Sequence, residues 1–316
     1  MRRSRTWRAL PALLLAGLTL LVPLPVAAEE PVPVASAAAS RASARDAQGL
    51  EYRLQRAPQA GVTVVFENGL GLDFETWAKV LPLLGADSQW LVYNRPGVGQ
   101  SAGAEGDATP AAVDPAAARM QALLQSQALP PPYVLVGHSL GGQFVQSFAQ
   151  QYPEQVVGLV LVDALPVGVA RSYDDFPWVT RVGLRLFASA SLRAELAAMQ
   201  PMGEHLLTQP GRFGGPMVRI VAQNDAPKPE GPVRDLLRGV VYAEDFGIWS
   251  MDVDAAEARM AVLYPQAELR TVRAHHRVQE QLPEQVVAAI RSVLEQRPGR
   301  APSAPARPTL APDRHP

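Results

Sequence analysis

Cysteine is missing from all 316 residues of the chain. No disulfide can staple the fold and no thiolate can act as a nucleophile or metal ligand, so stability has to come from burying a large core. Histidine is scarce too, at five residues, which leaves few groups able to move a proton near neutral pH. Neither sign of charge dominates: 29 Lys and Arg face 30 Asp and Glu, a formal net charge of −1, and the body of the chain holds no basic tract. That balance argues against a nucleic-acid partner. Hydrophobic residues make up 47% and aromatics 6%, ordinary globular proportions. With the ends set aside, about 250 residues remain, enough for one large α/β domain rather than two independent ones.

Both ends differ from the body. Residues 1–28 carry Arg2, Arg3, Arg5 and Arg8, then the run LPALLLAGLTLLVPLP, then Val26-Ala27-Ala28 ahead of Glu29-Glu30. A basic head, an apolar middle and small residues at a cleavage point are the pattern of a secretory signal peptide. Pro11, Pro23 and Pro25 interrupt the run, which disfavours a transmembrane helix. Cleavage after Ala28 is expected to place the protein in the periplasm or outside the cell with no lasting membrane anchor. Residues 29–48 are Pro/Ala/Ser-rich and read as a tether, and residues 297–316 read as a disordered Pro-rich tail. The folded domain is expected over 49–296.

The body is organised around YVLVGHSLGG, Tyr133 to Gly142, where a β-branched apolar run enters Gly137-His138-Ser139-Leu140-Gly141. Leu140, Phe144, Phe148 and Tyr152 follow four residues apart, at helical spacing. Strand, G-x-S-x-G and helix in that order describe a nucleophile elbow, in which a strained turn lifts a serine above a sheet. The hydroxyl of Ser139 would then face a cleft, beside the amides that open the following helix.

Around the elbow, short apolar runs alternate with helical patterns. Val62 to Phe66 and Val156 to Val162 read as strands buried on both faces, and Trp90 to Tyr93, Val218 to Ala222 and Ala267 to Val272 read as further strands. Helices are expected over Phe74, Trp77, Val80, Leu81 and Leu84; over Met120 to Leu124; and from Pro283 through Val286, Val287, Ile290, Val293 and Leu294. The fold class is therefore α/β, a doubly wound, mostly parallel sheet that binds ligands beyond the carboxyl ends of its strands. Between about 166 and 215 the strand rhythm breaks into amphipathic stretches, read as a small helical cap over the site. Removing Val169 to Arg212 is expected to leave a foldable core.

Several motifs, spread from about residue 50 to 296, resemble the α/β-hydrolase superfamily. VVFENGLG resembles its strand and oxyanion loop, YNRPGVGQS its Asp-Arg-x-Gly-x-Gly-x-Ser turn, VGHSLGG its elbow, VAQND its acid loop and HRVQEQLP its histidine loop. Asn68 stands where histidine is commonest in that family, and Asn94 where aspartate is.

A serine hydroxyl needs a base within reach and a third group to orient that base. His276 follows the last strand, and the family's spacing of a hydrophobic residue two positions after the histidine and a proline seven after it fits His276, Val278 and Pro283 rather than His275. His205 falls in the cap and His315 in the tail, and His138 is expected to point away from Ser139 along the turn. Two aspartates compete as the orienting acid, Asp163 after VVGLVLV and Asp225 after VRIVAQN. The resemblance favours Asp225, because the family's acid usually follows the strand after the cap, and Asp163 is then expected to receive backbone amides. The backbone N–H groups of Leu70 and Leu140 would form the oxyanion hole. These roles imply acyl transfer to water, with a small-molecule carboxylic ester as substrate and neither metal nor cofactor required. The same triad would serve an acyltransferase, a lactonase or a peptidase, and a secreted binding protein could keep the fold without turnover.

Overall fold

A computed structural model describes residues 42–103, 114–208, 212–223, 248, 250–251 and 253–297. The eight strands among them are β1 (Ala44–Arg45), β2 (Glu51–Gln55), β3 (Thr63–Glu67), β4 (Gln89–Tyr93), β5 (Tyr133–His138), β6 (Val156–Val162), β7 (Met217–Gln223) and β8 (Glu268–Arg273). They form one sheet in the order β1-β2-β4-β3-β5-β6-β7-β8. The first three strands along this order pair antiparallel, and every pair from β4–β3 onward is parallel. The chain leaves β3 toward β4 on one side and returns to β5 on the other, so a crevice opens at the carboxyl ends of β3 and β5, where such sheets bind ligands.

Side-chain alternation along each strand feeds two cores. Tyr133 and Leu135 of β5 pack with Met120, Leu123 and Leu124 of α2 (Asp114–Ser126) and with Phe144 and Phe148 of α3 (Gly141–Gln151). Val134 and Val136 point the other way, toward Phe74, Trp77 and the Val286, Ile290 and Val293 face of the C-terminal helix Pro283–Gln296. The helix expected over 74–84 is divided into a 3₁₀ turn, Phe74–Trp77, and α1 (Leu81–Leu84), whose second residue is Pro82. Part of the expected tether belongs to the sheet: Ala44 and Arg45 pair with Tyr52 and Glu51, and Ser43 Oγ donates to Glu51 at 2.6 Å.

The cap expected between β6 and β7 consists of α4 (Trp178–Phe187) and α5 (Ala190–Thr208). They differ in burial. Trp178, Leu186 and Phe187 on α4 lie open to solvent, while α5 buries Leu196, Met199, Met202 and Leu206 in the same core as α3. This burial weighs against the expectation that the cap could be excised. Removing 169–212 would strip those four side chains and Phe176, roughly 10 kcal/mol of apolar burial at 1.5–3 kcal/mol each, comparable with the whole stability of a domain.

After the cap come α6 (Val253–Leu263), α7 (Val278–Gln281) and the C-terminal helix, α8. The expected signal segment, the tail and Asp225 lie outside the described residues.

Candidate active site

Ser139 sits between β5 and α3 with φ +50°, a left-handed conformation that costs a non-glycine residue about 1–3 kcal/mol and persists only where its surroundings enforce it. Its flanking glycines allow the close approach that enforces it. A Cβ on Gly141 would lie 2.5 Å from the carbonyl oxygens of Glu67 and Asn68, and one on Gly137 would lie 2.6 Å from the Gly141 oxygen. The elbow is thereby pressed against the end of β3.

Ser139 opens into a cavity of about 310 Å³ whose walls include Leu70, Leu140, Leu165, Met199 and Ile248, with His276 at its rim. A smaller cavity of about 200 Å³, between Gly71, Gly97 and Ser191, is lined by none of these groups.

His276, after β8, places its Nδ1 2.6 Å from Oδ2 of Asp163. The carboxylate accepts the Nδ1 proton, which leaves Nε2 as the lone-pair nitrogen. Asp163 is held for this contact. It has φ +41°, its N–H donates to Ile220 O at 2.7 Å, and its Oδ1 accepts the N–H of Ala222 at 2.9 Å. It receives a backbone amide from β7, as expected, and its second oxygen faces the His276 imidazole; Asp225 lies outside the described residues. The Ser139 hydroxyl forms no hydrogen bond to His276; in unliganded sites such contacts are often long and tighten around substrate. His275 is turned to a different task, its N–H donating to Gln281 Oε1 at 2.8 Å, and His205 lies on α5.

The His138 side chain makes no hydrogen bond to Ser139 among the described residues. It faces the histidine loop, with Nε2 3.0 Å from the carbonyl oxygen of His276 and its ring 4.7 Å from the His276 ring. Burial, reinforced by the His276 imidazole, pushes its pKa down to about 3. A neutral ring facing a carbonyl must carry its proton on Nε2, and among the described residues Nδ1 is the buried nitrogen without a partner. Strand parity was the available signal: His138 shares the face of Val134 and Val136, on which Trp77 and α7 pack.

Leu70 and Leu140 line the same cavity, and among the described residues neither backbone N–H has a hydrogen-bond partner. The two asparagines that depart from the family pattern have structural work. Asn68 accepts from Trp77 Nε1 at 2.8 Å and donates to Tyr93 O at 2.9 Å. Asn94 donates to Glu51 Oε2 at 2.8 Å while accepting the Phe74 N–H at 2.8 Å. An aspartate at 94 would set a second carboxylate against Glu51. With the amide there, the bonds from Ser43, Gln100 and Asn94 outweigh the burial penalty and hold the Glu51 carboxyl below its usual range.

The family model described as the alpha/beta hydrolase fold matches residues 62–183. Among curated proteins, the chain is 31% identical over 108 residues to the uncharacterized protein YqjL of Bacillus subtilis, a match covering 34% of this chain and 42% of that protein. The chain thus spans less than half the length of that relative. Among solved structures, a carboxylesterase from Bacillus subtilis superposes with a TM-score of 0.52 at 15% identity, over 80% of this chain and 90% of that one. A thermophilic esterase from Thermogutta terrifontis gives a TM-score of 0.52 at 20% identity, over 80% and 98%. Likeness at that level speaks to fold alone. Strand order, elbow and likenesses agree, and the chain is a protein of the α/β-hydrolase fold.

Proposed function

We propose that the chain is an exported serine hydrolase that cleaves carboxylic esters through an acyl-enzyme. The observation that carries this reading is the Asp163–His276 contact at 2.6 Å, which directs Nε2 away from the carboxylate at the mouth of the cavity holding Ser139. In this mechanism His276 Nε2 takes the Ser139 proton as Oγ attacks the ester carbonyl. The oxyanion is held by the N–H groups of Leu70 and Leu140, each worth about 3–4 kcal/mol in sites of this kind. His276 then returns the proton to the departing alcohol, and a water molecule, activated by the same nitrogen, hydrolyses the acyl-Ser139 ester. Asp163 fixes the tautomer throughout and faces the imidazolium when it forms.

The walls of Leu70, Leu140, Leu165, Met199 and Ile248 suit an apolar acyl or alcohol group of modest size. Export is supported by the basic and apolar N-terminal sequence ahead of Val26-Ala27-Ala28. Turnover of p-nitrophenyl esters of graded acyl length, on wild type and Ser139→Ala, tests the reading. Burst release of p-nitrophenol from wild type and none from the variant supports it; equal rates from both proteins contradict it.

A further inference from the structure

We infer that Arg95 is a positioning residue for the oxyanion hole, orienting the Leu70 N–H through the Gly69 carbonyl, and that the cap helix α5 holds Arg95 in place through Glu195; this rests on the serine-hydrolase reading. Arg95 follows β4 and is buried. Its guanidinium reaches four acceptors: Nη1 donates to Asn68 O at 2.6 Å and to Glu67 Oε1 at 2.7 Å, Nη2 to Gly69 O at 2.7 Å, and Nε to Glu195 Oε1 at 2.8 Å. The other oxygen of Glu195 accepts the N–H of Gly71 at 2.9 Å. One ion pair therefore grips both sides of Leu70.

The consequence follows from peptide geometry. In a trans peptide unit the C=O and N–H point in opposite directions. The Gly69 oxygen faces Arg95, so the Leu70 N–H of the same unit faces away from Arg95. That amide has no partner among the described residues, the condition an oxyanion donor has to meet. The loop's own backbone holds this plane by one long turn bond, Leu72 N–H to Gly69 O at 3.2 Å, and glycine at 69 leaves the dihedral before the unit otherwise free, so the shorter, charge-assisted bond from Arg95 is the stronger of the two restraints. A flip of the plane would direct a carbonyl oxygen, rather than a proton, at the developing negative charge. It would also strip a buried guanidinium of an acceptor, a cost the native orientation avoids. Burial alone would pull the arginine toward its neutral form, but Glu195 and Glu67 reverse this and keep it charged.

Glu195 belongs to α5, and Met199, one turn later on the same helix, lines the active-site cavity. The helix that touches substrate is thus the helix that steadies the oxyanion loop.

The test compares wild type, Arg95→Lys and Glu195→Gln in steady-state hydrolysis of p-nitrophenyl butyrate, fluorophosphonate labelling of Ser139 and thermal melting. Lysine keeps the charge and loses the fork, and glutamine keeps one acceptor and loses the ion pair. Arg95→Lys should lower kcat by about a hundredfold with KM within threefold, the signature of an interaction made in the transition state. Glu195→Gln should lower kcat by roughly tenfold, without a change in KM and with a melting temperature near wild type. A kcat within threefold of wild type for Arg95→Lys, with wild type labelled at Ser139, overturns the inference alone. So does a loss that appears as KM, or one that disappears at an assay temperature where the variant is fully folded. Should Arg95→Lys fail to fold, Glu195→Gln decides by the same kcat and KM criteria. Absence of labelling and turnover in wild type overturns the serine-hydrolase reading itself.

Discussion

Replacing Asp163 by asparagine probes the acid that geometry and sequence assign differently. The new amide has two orientations. In the first, its oxygen keeps the Ala222 N–H and its NH₂ faces His276 Nδ1, so the imidazole proton is forced onto Nε2 and the base is lost. In the second, the oxygen faces Nδ1 and the NH₂ opposes the Ala222 N–H, leaving that donor unpaired at a cost of about 1–3 kcal/mol. The competent orientation is therefore outnumbered roughly 5- to 150-fold. Loss of the counter-charge to the imidazolium acts on top of this, giving a fall in kcat of about 10³- to 10⁴-fold, a rise in barrier of roughly 4–5 kcal/mol. Because the dominant orientation retains the Ala222 bond, the melting temperature should move by only about 2–4 °C. Steady-state p-nitrophenyl butyrate kinetics with a thermal melt measure both quantities, and Asp225→Asn serves as the control, expected within about threefold of wild type. More than a tenth of wild-type kcat in Asp163→Asn, or a larger loss in Asp225→Asn, would refute the assignment.

Other consequences can be checked on the same preparations. An unfolded imidazole takes a proton below about pH 6.5 while folded His138 resists down to about 3. Within that window the unfolded state binds more protons, so acid should destabilise the protein by up to about 1.4 kcal/mol per pH unit through this group. His138→Gln, which keeps a donor for the His276 carbonyl, should flatten the melting temperature between pH 6.5 and 4 relative to wild type; an unchanged slope would show that burial does not hold His138 neutral. Asn94→Asp should cost about 1–3 kcal/mol at pH 7 by opposing Glu51, and recovery as the pH is lowered to 4 would separate charge repulsion from a packing defect. Gly141→Ala should destabilise by about 1–3 kcal/mol or more, since its Cβ would meet two carbonyls at 2.5 Å; a neutral effect on denaturant midpoint would mean the elbow relaxes more freely than its packing implies. Phe187→Ser on α4 should change stability by less than about 0.5 kcal/mol while Met202→Ala on α5 costs about 2–4 kcal/mol, and similar values for both would contradict the difference in their burial.

The sheet and the elbow were legible because the physics behind them is local. VVF, WLVY and VVGLVLV are continuous apolar runs since both faces of a parallel strand are covered, and Ser139 is marked by glycines that its packing against Glu67 and Asn68 demands. The spacing to Pro283 singles out His276 over His275, and His276 lines the Ser139 cavity. The choice between the two candidate acids was not legible, because Asp163 and Asp225 each follow an apolar run in the sequence, and it takes the register of β6 against β7, with Ala222 donating to Asp163, to turn the Asp163 carboxylate toward the imidazole. Contacts across a hundred residues were equally silent. Arg95 to Glu195 spans helix, loop and cap, and its sequence signature is an arginine after a strand and a glutamate in an amphipathic helix, both common on any surface. The partners of His138 were silent too, since they follow from the face its strand parity shares with Trp77 and not from the turn.

Incubation with a fluorophosphonate, followed by peptide mass spectrometry, asks most directly whether Ser139 is a nucleophile activated by His276. A single adduct is expected on Ser139 in wild type, formed orders of magnitude more slowly in His276→Ala and absent from Ser139→Ala. An unlabelled wild-type protein, an adduct on a different serine, or undiminished labelling of His276→Ala would contradict this mechanism.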